Sequence, residues 1–153
     1  WPSRNKTPRN NSDRKTMITT VLLLWLAFDL KHFIADFVLQ NEYMQGKFRQ
    51  TGWAAPLALH CLMHALCTLA IVCFVNPSMW WLALLDFAIH FAMDRIKASP
   101  RMMGRYKNLC SHDMPTATPE QKRSMKMYWL TLGFDQYVHH LTNLLIAWLL
   151  VSF

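Results

Sequence analysis

Histidine and aspartate recur four residues apart in this chain, each time inside an otherwise apolar stretch. His32 precedes Asp36, His60 precedes His64, Asp86 precedes His90 and then Asp94, and Asp135 precedes His139, with His140 adjacent. Side chains at i and i+4 of an α-helix share one face about a turn apart. Each stretch therefore presents two or three ionisable groups in one direction. An ionisable group at the centre of a bilayer costs about 2.5–3.5 kcal/mol on insertion scales. The nine groups His32, Asp36, His60, His64, Asp86, His90, Asp94, Asp135 and His139 must then face inward, towards one another and towards something that compensates their charge.

Imidazole nitrogen and carboxylate oxygen form the ligand set of Zn²⁺, with Mn²⁺ and Fe²⁺ next in line. Helices that project carboxylates and histidines inward are an established way of building di-metal sites. The number of groups calls for two ions, or for one ion with a hydrogen-bonded shell around its ligands. A proton relay or a purely structural polar network uses the same residue types, and both stay open at this point. Bis-histidine haem ligation leaves the repeated aspartates unexplained. Gln40 and Gln136, close to the pairs in sequence, are candidates for binding a substrate or orienting a ligand. Lys31, beside His32, is expected to snorkel to the headgroups, and His112 and Asp113 to be solvated.

Four apolar segments carry these residues: about 17–40, 53–75, 79–98 and 127–153. Each has roughly the twenty residues that a membrane-crossing helix needs, and no period-2 alternation marks them as barrel strands. Asn76-Pro77-Ser78 predicts a tight turn that makes an antiparallel hairpin of the second and third. The first reads as the weakest spanner, since Asp29, Lys31, His32 and Asp36 interrupt it. Tryptophans lie mainly near segment ends, where amphipathic rings favour the interface. Residues 1–16 read as a disordered basic tail, with no cleavable leader, ahead of a single transmembrane domain over 17–153.

Charged residues make up only 16% of the chain, against about 25% in soluble domains. The net charge of +7 gathers in the tail and in a basic loop over 98–126. Beside apolar helices that charge faces the lipid bilayer and its anionic headgroups rather than nucleic acid. Four full crossings place tail and loop on opposite faces, which the positive-inside rule disfavours; the loop is assigned to the cytoplasm. Cys61, Cys67, Cys73 and Cys110 form no CxxC and read as small buried hydrophobes. The ten methionines form no MxxM array and read as adaptable core.

The strings HFIADFVLQ at 32–40, LALHCLMHAL at 57–66, LLDFAIHFAMDRIKA at 84–98 and GFDQYVHHLTNLLI at 133–146 resemble a family of small bacterial and phage polytopic membrane proteins known only as a domain of unknown function. The resemblance spans about 20–150. More loosely, the chain is similar to inner-membrane proteins described as metal-dependent hydrolases. The resemblance implies a shared polar set of His32, Asp36, His60, His64, Asp86, His90, Asp94, Asp135 and His139, with His140 as the second member of an HH pair.

The sequence thus predicts an all-α, multi-pass bundle of about four transmembrane helices in a bacterial inner membrane, with an intramembrane His/Asp cluster. The expected activity is metal-dependent hydrolysis of a lipid or membrane-delivered ester or phosphoester, with Asp94 or Asp36 as general base. Zinc is the first choice of metal, and manganese or iron the next. A divalent-cation or proton transporter or channel using the same cluster, as a homo-oligomer, is the alternative from another class. A third is a non-catalytic membrane protein that recruits partners through its basic loop.

Overall fold

The computed structural model describes residues 11–99, 101–106 and 116–153, side chains at 123 and 124 excepted. Four long helices dominate: α1 (Asn11–Phe37), α2 (Ala54–Val75), α3 (Trp81–Ala98) and α5 (Lys126–Ser152), with a short α4 (Pro119–Ser124) before the last. Single 3₁₀ turns occupy Met44–Phe48, Pro77–Met79 and Met103–Tyr106. No strand occurs among the described residues. Helix α1 begins at Asn11, so residues 11–16 are helical where the sequence reading placed tail. The rest of that tail, Cys110, His112 and Asp113 lie outside the described residues.

Local chemistry sets the turns. Asn76 precedes a proline and is extended, at φ −152° and ψ 93°, as that position favours. Its Oδ1 accepts from the Ser78 amide at 3.2 Å and from the Ser78 hydroxyl at 2.6 Å, closing the α2–α3 hairpin. Between α1 and α2 the turn at Met44–Phe48 lies directly on the start of α2. A Cβ at Gly46 would come within 2.9 Å of Pro56 Cγ, so only glycine allows that approach. This contact carries Lys47 into the interior, where it is 3% exposed.

Contacts between named residues fix the topology. Asp36 near the end of α1 meets His60 and His64 near the start of α2. Lys97 at the end of α3 meets Asp135 in the first half of α5, and Asp29 of α1 meets Asn143 of α5. Neighbours around the ring α1–α2–α3–α5 are therefore all antiparallel, an up-down-up-down bundle. The two halves of its interior differ. One half is an apolar core of Phe28, Val72, Leu82, Ile146, Ala147 and Leu150. The other half, where α1 ends and α2 begins, is packed with buried histidine, aspartate and lysine.

The outside is apolar. Leu22, Leu26, Phe33 and Phe37 of α1, Phe74 of α2, Leu84 of α3 and Leu130, Tyr137 and Trp148 of α5 are all exposed. Helices α1 and α2 are long and apolar enough to cross a membrane. The sequence reading took the first segment as the weakest spanner, and this is corrected. The charges of α1 sit towards its two ends, Asp13, Arg14 and Lys15 in the first turns and Asp29, Lys31 and Asp36 in the last third, and residues 16–28 between them carry none. In α3, by contrast, Asp86, Asp94, Arg95 and Lys97 share 18 residues, and α5 is diluted by Asp135, Gln136, His139, His140 and Asn143. Of the cysteines, Cys61 is buried as expected, whereas Cys73 is exposed on the outer face of α2.

Candidate metal centre

The i, i+4 step does what the helix repeat dictates. His32 Nε2 stands 3.2 Å from Asp36 Oδ2, His90 Nδ1 3.2 Å from Asp86 Oδ1, and His139 Nε2 3.3 Å from Asp135 Oδ1. The antiparallel bundle then brings the four pairs together at one level. Five imidazoles touch: ring centroids lie 4.7 Å apart for His60 and His64, 4.1 Å for His64 and His90, 4.1 Å for His90 and His139, and 5.0 Å from His32 to both His64 and His139. All five are at most 3% exposed. His140 points outward, its side chain 45% exposed, and stands 3.0 Å from Asp29.

Three lysines complete the cluster, and these the sequence reading missed. Lys31 does not snorkel. Its Nζ donates to Asp86 Oδ2 at 3.0 Å with the side chain 4% exposed, because its place on α1 faces α3 rather than the bundle exterior. Lys47 donates to Asp94 Oδ2 at 2.6 Å, and Lys97 to Asp135 Oδ2 at 2.6 Å. Lys97 also lies 3.7 Å from Asp94 Oδ1. Thr68 donates to Asp86 Oδ2 at 2.8 Å, and Asn143 donates to Asp29 Oδ1 at 2.9 Å. Both could have been found: each extends an i, i+4 series by one turn, His60–His64–Thr68 and Asp135–His139–Asn143. Lys47 carries no such signal, since it comes from a 3₁₀ turn in a polar stretch.

The lysines sort the carboxylates. Asp86, Asp94 and Asp135 each have an ammonium partner. Asp36 has none among the described residues; it faces His32, His60 and His64 at 3.2, 3.3 and 3.1 Å. With neutral histidines, the four carboxylates and three ammonium groups leave one net negative charge, and Asp36 is the carboxylate left uncompensated. An isolated buried charge is expensive.

Proton placement sharpens the point. His90 Nδ1 faces two acceptors, the Asp86 carbonyl at 3.1 Å and its carboxylate, so it donates. In the neutral ring Nε2 is then a bare acceptor, and it faces His32 Nδ1 at 3.2 Å. His32 must donate there, which leaves a lone pair on its Nε2 opposite Asp36 Oδ2. No hydrogen bond joins those two atoms despite the short distance. For a neutral His32, lone pair against carboxylate is repulsive, and either a second proton on the ring or a metal cation between the two atoms removes the repulsion.

Among the described residues, three groups of side chains, all buried except the half-buried Asp36, bring potential ligand atoms within 4.8 Å of one another: His32, His64 and His90; Asp36, His60 and His64; and Asp94, Asp135 and His139. The first two share His64. The third is occupied by the ammonium groups of Lys47 and Lys97. Asp86 belongs to none of them and instead orients His90, as carboxylates do for metal-bound histidines. A cavity of about 280 Å³ reaches the cluster from the loop end, lined by Asp36, Gln40, Lys47, Lys97, Tyr128 and Gln136 among others. Gln136 donates to Asp135 at 3.2 Å.

Fold and site together define an all-α bundle with an apolar exterior and a buried His/Asp/Lys cluster able to hold a metal ion. Residues 21–153 match the family described as protein of unknown function (DUF3307), and the chain belongs to that family. This is the domain-of-unknown-function membership that the four motif blocks lead one to expect. No curated protein and no solved structure matches the chain.

Proposed function

We propose that this protein is a multi-pass membrane metalloenzyme, its four long helices crossing the bilayer, that hydrolyses a lipid or another membrane-delivered ester or phosphoester. The observation that carries the metal is Asp36, the half-buried carboxylate of the cluster without an ammonium partner among the described residues, ringed by three histidines whose nitrogens lack a full set of partners. Two histidines and a carboxylate are a catalytic zinc ligand set that keeps a position open. Asp36, His60 and His64 supply it, with His32 beside them. The lysines on the third ligand group favour one ion, with the remaining polar residues as its supporting shell.

When bound, the metal lowers the pKa of a water and polarises the substrate oxygen. The protein supplies the rest. With Asp36 among the ligands, Asp94 is the carboxylate left to accept a proton; its Oδ2 lies 3.2 Å from His60, at the edge of the centre. Lys47 and Lys97 line the cavity and offer positive charge to an anionic substrate. Access from one end supports an enzyme over a conductor. A transport site must open to both faces, and here Phe28, Val72, Leu82 and Ile146, all 0% exposed, fill the interior beyond the cluster.

Metal content of the detergent-purified full chain tests this reading. We expect about one Zn, Mn or Fe per chain, falling sharply in His64→Ala and Asp36→Asn. Well-folded protein that stays empty after metal is supplied would leave a proton relay or a structural network. Metal flux into proteoliposomes would replace the enzyme with a transporter.

A further inference from the structure

A second polar cavity, about 570 Å³, opens where α2 begins and α3 ends, lined by Gln50, Thr51, Trp53, Arg95, Ser99 and Arg101. Arg95 follows Asp94 but points away from the cluster. Its guanidinium stacks over the Trp53 ring, 3.7 Å from the centroid, which fixes the plane of the fork by cation–π attraction. Its Nη1 is buried and has no hydrogen-bond partner. No carboxylate pairs with Arg95 or Arg101 among the described residues. A guanidinium held in one plane, a second arginine, two hydroxyls and an amide around one cavity make a set that recognises phosphate oxygens.

We infer that this cavity is a binding site for a phosphate-bearing group, separate from the metal centre and at the same end of the bundle. Where the protein acts as proposed above, the site selects phosphorylated substrates and holds their anionic end. Trp53, at the start of α2, stands where an amphipathic ring marks headgroup depth in a spanning helix. Two sources share this chemistry: an anionic lipid headgroup and a soluble phosphate ester.

The test is calorimetric titration of the full chain in a non-ionic detergent with two probes, short-chain phosphatidic acid and inorganic phosphate. It is run on wild type, Arg95→Gln, Arg101→Gln and Lys122→Gln, the last removing an exposed charge outside the cavity. Binding should weaken about ten- to a hundredfold in Arg95→Gln and measurably in Arg101→Gln, and stay within about twofold in Lys122→Gln. Arg101 is exposed, so its substitution does not endanger the fold. Phosphatidic acid binding alone identifies a lipid headgroup, and competition by inorganic phosphate identifies a soluble ester. Failure of both probes to bind wild type, or equal loss in all three variants, overturns the site. Metal content measured on the same samples keeps this outcome apart from the metalloenzyme reading: Arg95→Gln should leave it unchanged, and His64→Ala should empty the centre while phosphate binding persists.

Discussion

Replacing Lys31 by methionine tests whether the cluster is held together by compensated charge. Lys31 Nζ and Asp86 Oδ2 are 3.0 Å apart with side chains 4% and 0% exposed. At an effective dielectric of 20 their attraction is about 5–6 kcal/mol before desolvation. Removing one partner of a buried pair costs about 3–5 kcal/mol, because the other charge is left uncompensated. Lys31→Met should therefore destabilise the protein by about that amount. Asp86→Asn alone should cost as much, since it strands the ammonium group. The double variant should cost less than either single change. Thr68 still reaches position 86, and methionine fills the space of the lysine stem, so the coupling in a double-mutant cycle should exceed the cost of one single change, about 3–5 kcal/mol. Reversible unfolding of the four proteins in a fixed mixed micelle, followed by far-ultraviolet circular dichroism, measures it. A loss below about 1 kcal/mol in Lys31→Met, or a double variant as unstable as the sum of the singles, would refute the buried pair. It would return Lys31 to the headgroups.

Lys97→Met should free Asp135 and raise metal content from one ion towards two per chain, since Asp94, Asp135 and His139 already have ligand atoms within 4.8 Å; unchanged metal content, by mass spectrometry, removes that explanation. Asp94→Asn should retain the metal while abolishing hydrolysis, and retained turnover of a lipid ester would take the base role from Asp94. Phe28→Ala should cost about 3–5 kcal/mol through a cavity in the apolar half, read by unfolding, with metal content unaffected. An apolar maleimide should label Cys73 and spare Cys61 in folded protein, checked by intact mass; equal labelling would contradict the packing of α2.

Much of the site was legible because helical spacing is a strong constraint. A polar pair at i, i+4 in an apolar run has one interior solution, and His32–Asp36, Asp86–His90 and Asp135–His139 all adopt it. Carried one turn further, the same rule reaches Thr68 and Asn143. The lysines were less legible, because the same residue type serves at a membrane surface and in a buried pair, and spacing does not tell these apart. Lys31 has Asp29 and Asp36 near it in sequence, yet its partner is Asp86, on another helix. Lys47 depends on Gly46 lying against Pro56, a contact between a loop and a helix start that no local pattern announces. The ranking of the four segments as spanners was misjudged for a related reason. Counting charges over a whole segment hides where they sit, and α1 keeps its charges towards its ends, with residues 16–28 free of them.

That position along the helices also bears on function. With about 1.5 Å of rise per residue, the cluster in α2, α3 and α5 lies within roughly 20 Å of the end at which the Met44–Phe48 turn packs. A site that needs only to specify packing gains nothing from being close to one end, where water competes for its hydrogen bonds. A site that exchanges a substrate does gain, provided one wall is left open. Asp36 meets that condition: it is 17% exposed while its three histidines are at most 4% exposed, and it lines the cavity that opens at the loops. The three carboxylates matched by lysines are at most 4% exposed. The uncompensated carboxylate and the most accessible one in the cluster are thus the same residue. A structural network would seal such a group, whereas a centre that takes up a cation and then a substrate requires it to be where it is.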